Sequence, residues 1–210
     1  MFGAFTYLDE NEKDKLRIEL ISNEALKTSE IEGEYLDHES LQSSICRQFG
    51  IKSDNRRIRT AEKGISALLL DLYKTYDEQL SDKLLFRWHK ELMAGRTDDE
   101  QIGKYRSDNE PMQIISGKYD APKVHFEAPP SIMIAKEMQK FRMWFNDSRS
   151  INPLARAGIA HLYFECIHPF EDGNGRIGRA LAEKALAQSL GKPTLIALST
   201  IINTNKKEYY

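Results

Sequence analysis

The residues best equipped for chemistry crowd into one stretch, Ile167-His168-Pro169-Phe170-Glu171-Asp172-Gly173-Asn174-Gly175-Arg176-Ile177-Gly178-Arg179. Pro169 disfavours helical backbone at the residue before it, so His168 should stand where a helix ends. Gly173 and Gly175 allow a sharp turn and a close approach to a ligand. The helix that follows, expected from about Arg176, offers unpaired N–H groups and the positive end of its dipole, a combination that binds phosphate. Arg176 and Arg179 lie three apart in its first turn, where positive charge opposes the dipole. A polyanionic ligand resolves that conflict. Asp172 is a hard oxygen donor suited to a Mg²⁺ ion that also touches phosphates. His168 is the side-chain type that accepts a proton near neutral pH. A base, a metal ligand, an anion-binding turn and two guanidinium groups are the parts that phosphoryl or nucleotidyl transfer requires.

Other readings of the same residues fit less well. Gly173-Asn174-Gly175-Arg176-Ile177-Gly178 satisfies G-x-G-x-x-G, but a dinucleotide site needs a preceding strand and an acid about 20 residues on. Here the preceding pattern is helical, and no acid stands near Leu198. Asp172, Asn174 and Glu183 fall at EF-hand positions, yet Arg176 would then be a ligand and Ile177 would occupy the glycine position. His161, Glu165 and His168 have the spacing to share a zinc ion on one helix face. Pro169 makes a helical His168 doubtful, and a packed His161 is the simpler account.

These residues need a scaffold, and the apolar spacing supplies one that is almost entirely helical. Leu16, Leu20 and Ile21 mark a first helix, Leu41, Ile45 and Phe49 a second, and the stripe from Ile65 to Tyr76 a third. Ser81 should cap a fourth that carries Leu84, Leu85, Trp88 and Leu92 and stops at Gly95. Ser131 opens a further helix with Ile134, Met138, Phe141 and Phe145, and Asn152-Pro153 opens another that runs to about Ile167. The helix behind the glycine turn ends at Leu190, before Gly191 and Pro193. One region reads instead as strand, turn, strand: Met112 to Ser116, Gly117 to Pro122, and Lys123 to Glu127. A lone hairpin is marginal, so it must lie on the helices, either as a binding element or as a structural flap.

Composition bounds the function classes. The 210 residues carry a net charge of -2 with 40% hydrophobic and 30% charged side chains, an ordinary globular chain without a basic field for nucleic acid. The run Arg56-Arg57-Ile58-Arg59 reads as a solvated helix face beside nearby acids. No apolar run is long enough to span a bilayer, and no signal peptide is visible. The two cysteines, Cys46 and Cys166, sit in apolar helical patterns and suit a reducing, cytoplasmic setting. Residues 1–80 are expected to form an N-terminal helical extension and 81–210 a catalytic core, together one compact unit. The chain closes on Lys206 to Tyr210 within a helical pattern, as a piece of a longer protein would.

The stretch from His168 to Arg179 resembles the signature of the Fic family, H-P-F-x-[DE]-G-N-G-R-x-x-R, at every fixed position, and the similarity should extend from about Ser81 to Leu198. It implies an all-helical bundle with a β-hairpin flap over the active site. It also implies transfer of AMP from ATP to a protein hydroxyl. In that resemblance His168 deprotonates the target Ser, Thr or Tyr, and Asp172 holds Mg²⁺. Asn174 and the amides of Gly173 and Gly175 cradle the α- and β-phosphates, Arg176 meets the β-phosphate and Arg179 the γ-phosphate. Phe170 packs under the loop. Val124, His125 and Phe126 of the flap align the target as an added strand. Gly175 favours adenylylation, because kinase-like members of the family carry lysine there.

Thr28-Ser29-Glu30-Ile31-Glu32-Gly33 resembles the inhibitory motif [ST]-x-x-x-E-[GN] of self-restrained members. That resemblance implies a bidentate pair between Glu32 and Arg179 in the place of the γ-phosphate, with Gly33 turning the chain away. The plain alternative is a solvated acidic helix end. The implied function is an auto-inhibited protein adenylyltransferase using ATP and Mg²⁺ on a protein substrate; self-modification and a homo-oligomer are compatible with it. A hydrolase that removes AMP with the same residues, and a nucleotide-sensing module of low turnover, are the alternatives.

Overall fold

Local capping chemistry sets the helix boundaries in the computed structural model, which describes residues 7–53, 56–96, 101–108, 111–118, 121–194 and 196–209. Helix α1 (Glu10–Ile31) opens on Asp9, which accepts from the Glu12 N–H while the Glu12 side chain accepts from the Asp9 N–H, a reciprocal cap. Helix α2 (His38–Gln48) is capped by Asp37, and α3 spans Thr60–Thr75. Ser81 caps α4 (Asp82–Leu92) as its position predicts. After the hairpin come α5 (Ser131–Asp147), a short turn Ser148–Ser150, and α6 (Pro153–Ile167), where Asn152 accepts from the N–H groups of Leu154 and Ala155. Helix α7 covers Asn174–Leu190, α8 Leu198–Thr204 and α9 Lys206–Tyr209.

Two boundaries depart from the sequence expectation. Helix α7 starts at Asn174 rather than Arg176, because Gly173 alone, at φ 81°, makes the turn in left-handed backbone and leaves Asn174 and Gly175 helical. The strands are longer than expected, β1 running Gln113–Lys118 and β2 Ala121–Glu127. Gly117, Lys118, Ala121 and Pro122 therefore join the ladder instead of the turn, and Tyr119 and Asp120 of the expected turn lie outside the described residues. Ile114 pairs with Phe126 and Ile115 with Val124, which leaves His125 as the extra residue of a bulge.

The fold is all-α with one antiparallel hairpin. Its buried cluster runs from Ile18 and Ile21 of α1 through Leu68, Trp88, Phe141 and Phe164 to Ile177 and Leu181 of α7. Helix α7 lies at the centre: α1, α3, α4, α6 and α8 all touch it. Its first two turns, where Arg176 and Arg179 sit, are thus walled by helices that are far apart in sequence.

Candidate active site

The loop from His168 to Gly173 is built on Phe170, which is fully buried. Its ring stacks on His89 with centroids 4.1 Å apart and meets Phe86, Tyr105 and Phe164 at other angles. His89 also accepts from the Gly103 N–H through Nδ1, at 2.8 Å. The proton must then sit on Nε2, which donates to the Asp172 carbonyl at 3.2 Å. Asn174 spends its side chain on the same loop, accepting from the Phe170 N–H and donating to the Phe170 carbonyl. What Asn174 offers a ligand is therefore its backbone amide.

His168 ends α6 in left-handed backbone, φ 49° and ψ 62°. Arg106, itself buried, donates from Nε to the His168 carbonyl at 2.8 Å and from Nη2 to the Pro129 carbonyl at the foot of the flap. The His168 imidazole is held below its ordinary pKa, chiefly by burial and also by Arg106, which favours the neutral, proton-accepting form. Its Nδ1 lies 3.8 Å from the Glu165 carboxylate. Burial pushes Glu165 up to about 7, against the pull of Arg179. Among the described residues no set of three His, Cys, Asp or Glu side chains could hold a metal, so His161, Glu165 and His168 do not form the zinc site their spacing allows.

No side chain caps the start of α7, so its first N–H groups remain available to an anion. Arg176 and Arg179 are both buried, and Nε of the first and Nη1 of the second have no hydrogen-bond partner among the described residues. Buried guanidinium nitrogens left in this state fit a ligand rich in oxygen. Asp172 stands half exposed at the rim. One oxygen accepts from the Gly173 N–H and faces Arg176, and the other pairs with Arg96. The positive neighbours outweigh the burial that would raise its pKa and hold it below the ordinary value. A lone ionised oxygen donor beside an anion site fits Mg²⁺, which takes one or two carboxylates and fills its shell with phosphate and water. The exposed Arg96 pair is of the kind that exchanges at little cost.

Helix α1 delivers acids into this turn. The Gly33 N–H reaches the Glu30 carbonyl and the Glu34 N–H the Ser29 carbonyl, both at 3.0 Å, with Gly33 at φ 80°. This paired C-terminal cap presents Glu32 and Glu34 to α7. Glu32 Oε1 lies 2.7 Å from Arg179 Nη2. The pair is not the bidentate fork expected: Nε of Arg179 donates to the Thr28 hydroxyl and Nη2 also to the Thr28 carbonyl. Thr28 sits one turn before Glu32 on the same face and takes Nε, the donor that a second carboxylate oxygen would use in a side-on fork. Gly175 leaves room for this contact, since a Cβ there would run into Glu32 Oε1 and make the carboxylate shift. Beside the acids opens a cavity of about 600 Å³, walled by Glu32, Glu34, Arg96, Asp172 and Arg176. Val124 and Phe126 of the hairpin are exposed.

A model of the Fic/DOC family matches residues 79–186, just over half of the chain. The chain belongs to the Fic/DOC family. A domain of unknown function (DUF4172) matches residues 1–51. A probable protein adenylyltransferase of Aquifex aeolicus is 27% identical over 174 residues, which are 74% of this chain and 50% of that protein. The protein adenylyltransferase Fic of Drosophila grimshawi is 38% identical over 134 residues, 63% of this chain and 24% of that protein. The chain thus spans half or less of the length of these relatives. Among solved structures, a Fic family protein from Desulfovibrio desulfuricans G20 is similar over 100% of this chain and 61% of that one, with TM-score 0.68 and 27% identity. The Fic fold accounts for the helical bundle and hairpin. No described helix is long and apolar enough to cross a membrane.

Sequence reasoning missed three side chains at this site. Glu34 follows a glycine that ends a helix, and its approach to Arg176 was readable only as one acid on each side of Gly33. Arg96 follows the Gly95 that stops α4. Arg106 acts on His168 through a backbone carbonyl, which leaves no residue-type signature.

Proposed function

We propose that the chain carries a protein adenylyltransferase restrained by its own N-terminal helix. The observation behind this reading is the start of α7, with uncapped N–H groups and, in its first two turns, two buried guanidinium groups that lack partners at single nitrogens among the described residues. The adenylyltransferase names of the Aquifex and Drosophila relatives support the same reaction. His168 takes the proton of a Ser, Thr or Tyr hydroxyl on the target. The target oxygen then bonds to the α-phosphorus of ATP while the bond to the bridging oxygen breaks, and pyrophosphate leaves. Backbone amides of Gly173, Asn174 and Gly175 hold the α- and β-phosphates, Arg176 the β-phosphate and Arg179 the γ-phosphate. Asp172 would hold Mg²⁺, which when bound would neutralise charge on the leaving phosphates. The exposed strands around Val124, His125 and Phe126 offer an edge to an extended target segment.

Glu32 occupies Arg179 and so excludes the γ-phosphate in the resting protein. With labelled ATP and Mg²⁺, the parent protein should label itself or targets weakly, and Glu32→Gly should raise labelling by about 10²-fold, the scale set by a buried carboxylate–arginine pair. Adding Arg179→Ala should erase the gain. Unchanged labelling in both backgrounds would reduce Glu32 to a solvated helix end. Loss of AMP release from modified protein, with no gain in transfer, would identify the hydrolase instead.

A further inference from the structure

We infer that Glu34 is a second gate, one that makes the resting site refuse a β-phosphate as Glu32 refuses a γ-phosphate. The inference rests on the proposed roles of Arg176 and Arg179. Glu34 Oε2 lies 2.7 Å from Arg176 Nη1, the same separation as Glu32 from Arg179. Arg176 is 7% exposed and leans on Asp172 through Nη2 at 3.4 Å, so two carboxylates divide its charge. The turn that ends α1 makes the double engagement possible. Its left-handed Gly33, fixed by the hydrogen bonds to Ser29 and Glu30, aims the acids before and after it at arginines three apart on α7. One rigid element therefore meets both guanidinium groups together.

The consequence is selectivity by phosphate number. A nucleoside monophosphate needs only the backbone amides at the start of α7 and is not opposed by either acid. A diphosphate must displace Glu34 from Arg176. A triphosphate must displace Glu34 and Glu32 together. Glu34 thus sets which nucleotides the resting protein admits, and Glu32→Gly alone frees only part of the polyphosphate site. Since Glu34 is 39% exposed, its gate is a modest one, on the scale of a partly solvated ion pair.

The test is calorimetric titration of AMP, ADP and ATP, with Mg²⁺, into the parent, Glu34→Gln, Glu32→Gln and the double variant. Glutamine keeps the shape and removes the charge, and Glu34→Ala serves as a second variant should glutamine hydrogen-bond to Arg176 in turn. Glu34→Gln should tighten ADP and ATP by about 2- to 5-fold and leave AMP unchanged. Glu32→Gln should tighten ATP alone. Adding Arg176→Ala should cancel the ADP gain of Glu34→Gln. ADP affinity unchanged in both Glu34 variants would overturn the gate, as would a gain equal for all three nucleotides. Because the readout is binding, a failure of the transfer reaction itself shows separately, as absent labelling with the nucleotide ranking intact.

Discussion

His168 is the only described non-glycine residue with positive φ, a conformation that costs about 1–2 kcal/mol for an L side chain. Something must hold it there. The buried Arg106 does so through the His168 carbonyl, while the backbone N–H of Arg106 donates to the Pro169 carbonyl. Burial and Arg106 lower the imidazole pKa, and a backbone hydrogen bond with Glu165 opposes them, followed by the charges of Glu32 and Asp172. A base must be neutral to accept a proton, so transfer should rise with pH to a plateau through a midpoint below the ordinary histidine value of about 6.5. Removing the negative charge of Glu32 removes one influence that raises the pKa. The acid limb of Glu32→Gly should therefore lie at lower pH than that of the parent. His168→Ala should lower transfer by about 10²–10⁴ at the plateau and leave ATP binding intact, measured by initial rates alongside titration. A parent and Ala variant of equal rate would remove His168 from the chemistry.

At the level of the elements, legibility follows how local the controlling interaction is. Caps such as Ser81 and Asn152 act within three residues, and the sequence places them. The signature loop is equally local. The contacts of α1 with α7 join residues more than 140 positions apart, and only the resemblance of Thr28 to Gly33 pointed toward the first of them. Glu34 lay beyond that motif and was invisible for the same reason. Gly33 is the hinge of both contacts, and it offers a test at this scale. A Cβ at Gly33 meets nothing within 4 Å, so Gly33→Ala creates no clash. It does impose a side chain on left-handed backbone, at about 1 kcal/mol. The turn should relax, Glu32 and Glu34 should lose their aim, and basal labelling should rise several-fold with a matching small drop in denaturation midpoint. A drop in stability with basal labelling unchanged would show that the acids find their arginines without this turn.

For the molecule as a whole, the proposed restraint depends on what holds α1 in place, and α8 with the residues after it contributes to that. Glu24 of α1 is half-buried, and desolvation raises its pKa against hydrogen bonds from Ser199 on α8 and the charge of Arg179. The Ser199 N–H donates to Glu24 Oε2 at 3.0 Å, and the Ser199 hydroxyl donates to the other oxygen. Beyond α8, Lys206 Nζ donates to the Ile31 carbonyl at 2.8 Å, one residue before Glu32. Helix α8 and the residues after it thus grip the last two turns of the helix that both acids follow, although 175 positions separate the partners. Ser199→Ala leaves one buried Glu24 oxygen without its donor, a loss of about 1–3 kcal/mol. If that loss falls on the docking of α1, the released population grows by about tenfold for each 1.4 kcal/mol. Basal labelling should then rise by at least about 5-fold in Ser199→Ala, the effect of a loss of about 1 kcal/mol. In a Glu32→Gly background the same substitution should add nothing, because the restraint it loosens is already gone. Comparing labelling in both backgrounds with the urea midpoint separates two roles for α8. A lower midpoint with unchanged basal labelling makes it a brace for the fold. A lower midpoint with a Glu32-dependent gain in labelling makes it the far end of the latch.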